Sequence, residues 1–172
     1  PKIVILAYAN FHDERNTFLR NRRKAVAPWN KLGPLVQPYA RLNKDGGVDY
    51  YYADVEYSEF PFMRTLALSH FLERKYNQYE DYLYHSHSVS RVLVHEMANL
   101  SRKHNITFVL ADIYGGQEMR DFLTENNIPN VDIAVPLGVP ENNNKPHDPH
   151  PSALANKKYV NKLEAFLHDH IL

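Results

Sequence analysis

Cysteine is absent from the chain, which excludes disulfides, thiolate metal sites and a cysteine nucleophile together. Net charge is absent too. Twenty Lys and Arg residues balance twenty Asp and Glu residues, so no global field points to nucleic acid or to an anionic membrane surface. The single basic cluster, Arg20 to Lys24 in "RNRRK", reads as a solvated helix face or loop before a phosphate site. No apolar run approaches the roughly 20 residues that span a bilayer, and no signal-peptide pattern is present. Internal repeats and low-complexity segments are lacking as well. What remains is a 172-residue chain, 44% hydrophobic and 23% charged, with the composition of a globular protein and a length that favours one domain over 1–172.

The hydrophobic pattern predicts alternating strands and helices. Residues 3–7, "IVILA", form a short continuous apolar run, as in a strand covered on both faces of a parallel sheet. It ends in the polar residues "NFHDERN", at the kind of strand end beyond which open α/β sheets bind ligands. Residues 17–27 suit a short helix stopped by Pro28. The runs "PYARLN" and "VDYYYADVEY", joined by "KDGG", predict a hairpin excursion over about 37–60. Its Tyr50, Tyr51 and Tyr52 suit strand packing, or alternatively a platform for stacking a sugar or base.

From about Pro61 the period becomes helical, through Leu68, Leu72, Tyr76, Tyr79 and Leu83. After "HSHS" a second set follows, Val89, Val92, Leu93, Met97 and Leu100, so two helices or one kinked helix fit. "ITFVLADIY" is a second buried-type strand, "GG" opens a helix carrying Met119, Phe122 and Leu123, and "NVDIAVPLG" reads as a last short strand. Ser152 caps a final helix with Leu154, Tyr159, Leu163, Phe166, Leu167 and Ile171 on one face. This order predicts an α/β fold with a parallel sheet. Residues 140–151 form a long Pro- and Asn-rich loop, a type that is often functional.

That loop contains Asp148 and His150 just ahead of the final helix. Two residues apart in an extended segment, their side chains point the same way. A carboxylate on one imidazole nitrogen fixes the tautomer, leaves the other nitrogen as a base and stabilises the imidazolium. The positive end of the following helix favours neutral imidazole. The competing reading is a turn capped by Asp148 with His150 as a surface residue.

"DPHPSALANKKYVNKLEAFL" resembles the last block of the SGNH/GDSL hydrolases, where the catalytic Asp and His precede the final helix. The family usually separates the two by two residues; here one intervenes. "ILAYANFHDERN" resembles the family's third block, which supplies an oxyanion-hole asparagine, and Asn10 is the positional match although Tyr8 replaces the usual glycine. "HDERN" followed by "QPYARLNKDGGVDYYY" is similar to the hairpin continuation of some members. The resemblance covers most of the chain, in order. It implies a three-layer α/β/α, flavodoxin-like fold with a hairpin insertion. It also implies a base His150, its orienting carboxylate Asp148, an oxyanion donor Asn10, no cofactor, and an ester-bearing small molecule or acylated glycan as substrate.

The Gly-Asp-Ser nucleophile block and the second glycine block are absent, and Ser58, Ser69, Ser86, Ser88, Ser90, Ser101 and Ser152 all lie outside that context. The expectation is therefore the C-terminal portion of a larger esterase or O-acetyl hydrolase or transferase, incomplete at its N-terminus. Its serine would come from a companion chain or segment. Two other classes are weighed beside it. One is a non-catalytic carbohydrate- or partner-binding module on the same scaffold. The other is a metal protein using His85 and His87 with His147 and His150, or His168 and His170, although no His-Glu-x-x-His occurs.

Overall fold

The computed structural model describes residues 1–172 apart from the side chain of Pro149. In chain order the elements are β1 (Ile3–Ala9), α1 (Asp13–Thr17), α2 (Arg20–Val26), β2 (Val36–Leu42), β3 (Val48–Asp54), α3 (Ala67–Tyr84), α4 (Ser86–Lys103), β4 (Thr107–Tyr114), α5 (Gln117–Glu125), β5 (Asn130–Asp132), β6 (Asn143–Asn144), β7 (Asp148–Pro151) and α6 (Ala153–His170). The protein is mixed α/β. Two compact units are formed, one by Pro1–Asn10 with His95–Leu172, the other by Phe11–Val94.

The first unit holds a three-stranded parallel sheet in the order β1-β4-β5. Central β4 is the strand enclosed on both faces, with Phe108, Val109, Leu110 and Ala111 at 5% exposure or less. Its Ala111 packs with Ile133 and with Tyr159 of α6. The apolar β1 forms as expected, but it is an edge strand paired only with β4. Val4 and Ile5 are 36% and 42% exposed, and burial is confined to Tyr8 and Ala9 at its C-terminal end. A continuous apolar run is common to central and edge strands, so the run alone does not tell which side a neighbour covers. At the other end of the unit, Ser152 Oγ accepts from Ala155 N at 3.2 Å and starts α6.

The second unit pairs β2 with β3 as an antiparallel hairpin closed by Asn43, whose Oδ1 accepts from the backbone of Asp45 and Gly47. Phe18, Val26 and Val55 form one cluster, and Ala40, Val48 and Val89 another. His85 stops α3 in the left-handed region at φ 51°, its N–H donating to Asp81 O, and α4 begins at the next residue. "HSHS" therefore separates two helices.

Helix α3 buries the polar face beside its apolar pattern and not the pattern itself. Its buried residues are Ser69, Glu73 and Glu80, while Leu68, Leu72, Tyr76, Tyr79 and Leu83 are all 45% exposed or more. These three tolerate burial because each is hydrogen-bonded there. Glu73 takes Lys24 Nζ at 2.5 Å, Tyr57 Oη at 2.7 Å and Arg20 Nη2 at 3.2 Å. Glu80 accepts from Arg20 N at 2.6 Å, and Ser69 Oγ donates to Pro61 O at 2.7 Å.

Candidate active site

The segment 140–151 is an organised loop. A 3-10 turn at Pro140–Asn142 leads into β6, which pairs antiparallel with β7. Asn142, 1% exposed, donates to Pro136 O and accepts from Lys158 Nζ at 2.8 Å and through its carbonyl from Ser152 N. Asn143 Nδ2 donates to Leu137 O and Val139 O, Ser152 Oγ donates to Glu141 O, and Lys158 pairs with Glu141 at 2.8 Å. These bonds tie the loop to the first turns of α6, so the residues it presents stand on a fixed base.

Two of those residues are Asp148 and His150, and they meet. Asp148 Oδ1 accepts from His150 N at 2.9 Å, and the same oxygen pairs with His150 Nδ1. Both hydrogen bonds hold the Asp148 carboxyl below the usual carboxylate range, the backbone one contributing most. With Nδ1 as donor, Nε2 is the acceptor nitrogen of the neutral ring. The His150 side chain is 79% exposed and that of Asp148 48%, so the pair is open to an incoming group. Both the turn reading and the base reading describe the same contact, since Asp148 caps the bend and orients the ring at once.

Asn10 follows directly on β1 and opens a 3-10 turn, Asn10–His12. The sheet is parallel, and Ala9 is in register with Tyr114 at the end of β4. Asn10 thus stands at the carboxyl edge, beside the Gly115-Gly116 turn; a methyl built on Gly116 would lie 3.8 Å from Asn10 Nδ2. Gly116 takes φ +79° and precedes α5 without a side-chain cap. The loop with Asp148 and His150 leaves the sheet after β5, whose direction is the same. Asn10 shares this edge but hydrogen-bonds neither Asp148 nor His150 among the described residues.

Two further arrangements were not anticipated. Asp112 lies on β4 at 2% exposure, with Oδ2 3.1 Å from Arg120 Nη1. Burial raises its pKa, opposed by the hydrogen bond and charge of Arg120. Its Oδ1 packs against Gly115, where a methyl would fall 2.6 Å away. The signal was an acid inside the apolar run "FVLADIY" followed by two glycines. In the second unit, Asp13, 1% exposed, pairs through Oδ2 with His87 Nδ1 at 2.6 Å. Around them Asn16 donates to Ser90 at 2.8 Å, and Thr17 and Ser86 share a hydrogen bond of 2.8 Å. Seventy-four residues separate Asp13 from His87, and no local spacing reports such a contact.

Five of the serines have hydrogen-bond partners within the chain. Ser69 bonds Pro61 O, Ser86 Thr17, Ser88 Arg91, Ser90 Asn16, and Ser152 caps α6. For the histidines weighed as metal ligands, His87 is committed to Asp13, His85 terminates α3, and His170 Nδ1 pairs with Phe166 O. Among the described residues no three His, Cys, Asp or Glu side chains gather around a common point, and no helix is long and apolar enough to cross a membrane.

The class defined by these elements is a mixed α/β protein with a parallel three-stranded sheet and an Asp-His pair at a loop before its last helix. In comparisons with known proteins, no family model, no curated protein and no solved structure matches the chain.

Proposed function

We propose that this chain carries the base of an SGNH/GDSL-type serine hydrolase acting on an ester, as an esterase or as an O-acetyl hydrolase or transferase. The observation that carries the reading is the bond between His150 Nδ1 and Asp148 Oδ1 on a loop pinned ahead of α6. In this mechanism a serine Oγ from outside the chain attacks the ester carbonyl carbon while His150 Nε2 takes its proton. Asp148 stabilises the imidazolium that results. The Asn10 side-chain amide donates to the developing oxyanion. The tetrahedral species expels the alcohol, which takes the proton from His150, and water activated by the same nitrogen then releases the acid from the acyl-serine.

A companion chain or segment supplies the serine, since none of the chain's serines stands in a Gly-Asp-Ser context. The parallel sheet is then part of a larger flavodoxin-like α/β/α sheet in one domain, and the β2-β3 hairpin is an insertion. The substrate is an ester-bearing small molecule or an acylated glycan, and no cofactor enters.

The test is hydrolysis of a short-chain aryl ester by the complete encoded protein. His150→Ala is expected to lower turnover by about 10²–10⁴-fold with the fold retained. If the variant turns over at the wild-type rate, His150 has no part in the mechanism. Sequencing of the coding region and intact-mass analysis address the serine; finding neither an upstream Gly-Asp-Ser nor a companion polypeptide ends the hydrolase reading.

A second reading, a non-catalytic carbohydrate-binding module, is favoured by Tyr50 and Tyr52 on one face of β3, 62% and 77% exposed. Titration with acetylated and plain glycans separates the two, because a module binds both and Tyr52→Ala weakens it without any ester being cleaved.

A further inference from the structure

Helix α3 carries an exposed apolar surface of unusual extent. Leu68, Phe71, Leu72, Tyr76, Tyr79, Tyr82 and Leu83 are 62%, 46%, 51%, 45%, 59%, 75% and 50% exposed. At 100° per residue they occupy one continuous stripe along all five turns of the 18-residue helix. The polar residues it buries, Ser69, Glu73 and Glu80, are held by Pro61, Arg20, Lys24 and Tyr57. The helix therefore cannot rotate its apolar face inward without stripping Glu73 and Glu80 of their partners. With about 200 Å² for a fully exposed large side chain, the seven residues offer on the order of 800 Å². Monomers rarely leave a patch above about 300–600 Å² uncovered, whereas a standard interface takes about 800 Å² from each partner.

We propose that α3 is a homodimerisation helix, pairing with α3 of a second copy of this chain in an antiparallel arrangement about a two-fold axis. The area is that of one half of a stable dimer. The stripe is also self-complementary, as an isologous contact requires. Leu68 and Leu83 are equidistant from the point between Lys75 and Tyr76, and so are Leu72 and Tyr79. Reversed on itself, the helix sets Leu68 against Leu83 of the second copy, Leu72 against its Tyr79, and the Lys75 ammonium over its Tyr76 ring. The antiparallel arrangement also places opposite helix-dipole ends side by side. A lipid surface is the less suited occupant, because the flank of the stripe carries both signs, Arg74 beside Asp81, with Lys75 inside the stripe, instead of the basic rim of an interfacial helix. The inference does not depend on the hydrolase reading.

Light scattering and sedimentation on the purified protein across a hundredfold dilution test it. The expected result is twice the chain mass, falling twofold in Leu72→Glu and Tyr79→Glu with an unchanged far-UV circular dichroism spectrum. Because the chain has no cysteine, single introduced thiols report the register. Tyr76→Cys is expected to cross-link to itself with a short bismaleimide, and Leu68→Cys only when mixed with Leu83→Cys. A monomer at every concentration overturns the proposal, as does a dimer unaffected by Leu72→Glu or cross-linking of Leu68→Cys to itself. A monomer that binds phosphatidylcholine-phosphatidylserine vesicles through Tyr79 overturns it in favour of a lipid surface.

Discussion

Oδ1 of Asp148 accepts from His150 twice, from its backbone N at 2.9 Å and from its ring Nδ1. One oxygen therefore sets both the bend of β7 and the orientation of the imidazole. Separating these two roles needs a substitution that preserves the bend and alters the ring.

Asp148→Asn does so. The amide oxygen still accepts from His150 N, but under the proposed hydrolase mechanism no negative charge would remain to stabilise the imidazolium. Turnover is expected to fall about 10²–10⁴-fold with KM little changed. A fall in affinity without a fall in turnover would make Asp148 a loop residue only.

The same contact predicts a pH signature. The folded pKa of Asp148 is depressed by the backbone hydrogen bond and then by the ring. Its stabilising contribution is therefore complete above the unfolded carboxylate value and is lost as pH falls through the folded one. Side-chain NMR should place the Asp148 midpoint below that of a free aspartate, and His150→Ala should move it upward. Coincident midpoints in the two proteins would mean that the ring bond is not populated in solution.

How far the sequence foretold this structure depends on whether a signal is local. "ITFVLADIY" became the central strand, and Ser152 capped α6 as its position predicts, because apolar runs and caps are properties of neighbouring residues. The Asp148-His150 contact was legible for the same reason, spanning only two positions. Helix α3 was legible as a helix but not in orientation. What fixes the face it buries is a set of partners for Glu73 lying 16 to 53 residues away. The exposure of Val4 and Ile5 depends likewise on sheet order, which the run "IVILA" does not contain. Asp13-His87 requires the folded backbone to bring its members together across 74 residues, whereas Asp112 and Gly115, three residues apart, carried a local signal in the acid of an apolar run ahead of two glycines.

Glu73 should govern the acid limit of the second unit. Burial alone pushes its carboxyl up, but the hydrogen bonds of Lys24 and Tyr57 and the charges of Lys24 and Arg20 prevail and leave it lowered. The stabilisation is present above the unfolded glutamate value and disappears as pH falls through the folded one. Glu73→Ala leaves Arg20 largely buried without its counter-charge, while Lys24, 41% exposed, recovers water. The expected cost at neutral pH is about 2–3 kcal/mol, less than for a fully buried pair. Urea titrations between pH 3 and pH 7, taken as an approximate range around the carboxylate values, should show the wild type losing this increment and the variant not. Parallel curves would remove the cluster from the acid response.

Asp112 predicts the opposite slope in the first unit. Burial raises its pKa despite Arg120, so the folded state binds the proton more tightly than the unfolded one. Stability from this group is highest below the unfolded carboxylate value and declines as pH rises toward the folded value. Arg120→Gln removes the opposing charge and should extend that decline to higher pH, with a loss at neutral pH of about 1–3 kcal/mol. Asp112→Asn in the same background should return much of the loss, since no buried charge is then left unpaired. Gly115→Ala acts on the same carboxylate by contact. Its methyl would lie 2.6 Å from Asp112 Oδ1, and the shift needed to accommodate it should cost about 1–3 kcal/mol. The cost should shrink in Gly115→Ala with Asp112→Ala, where the clashing atoms are gone. If the two substitutions are additive in urea denaturation, Asp112 and Gly115 are not coupled and the packed geometry at the end of β4 is wrong.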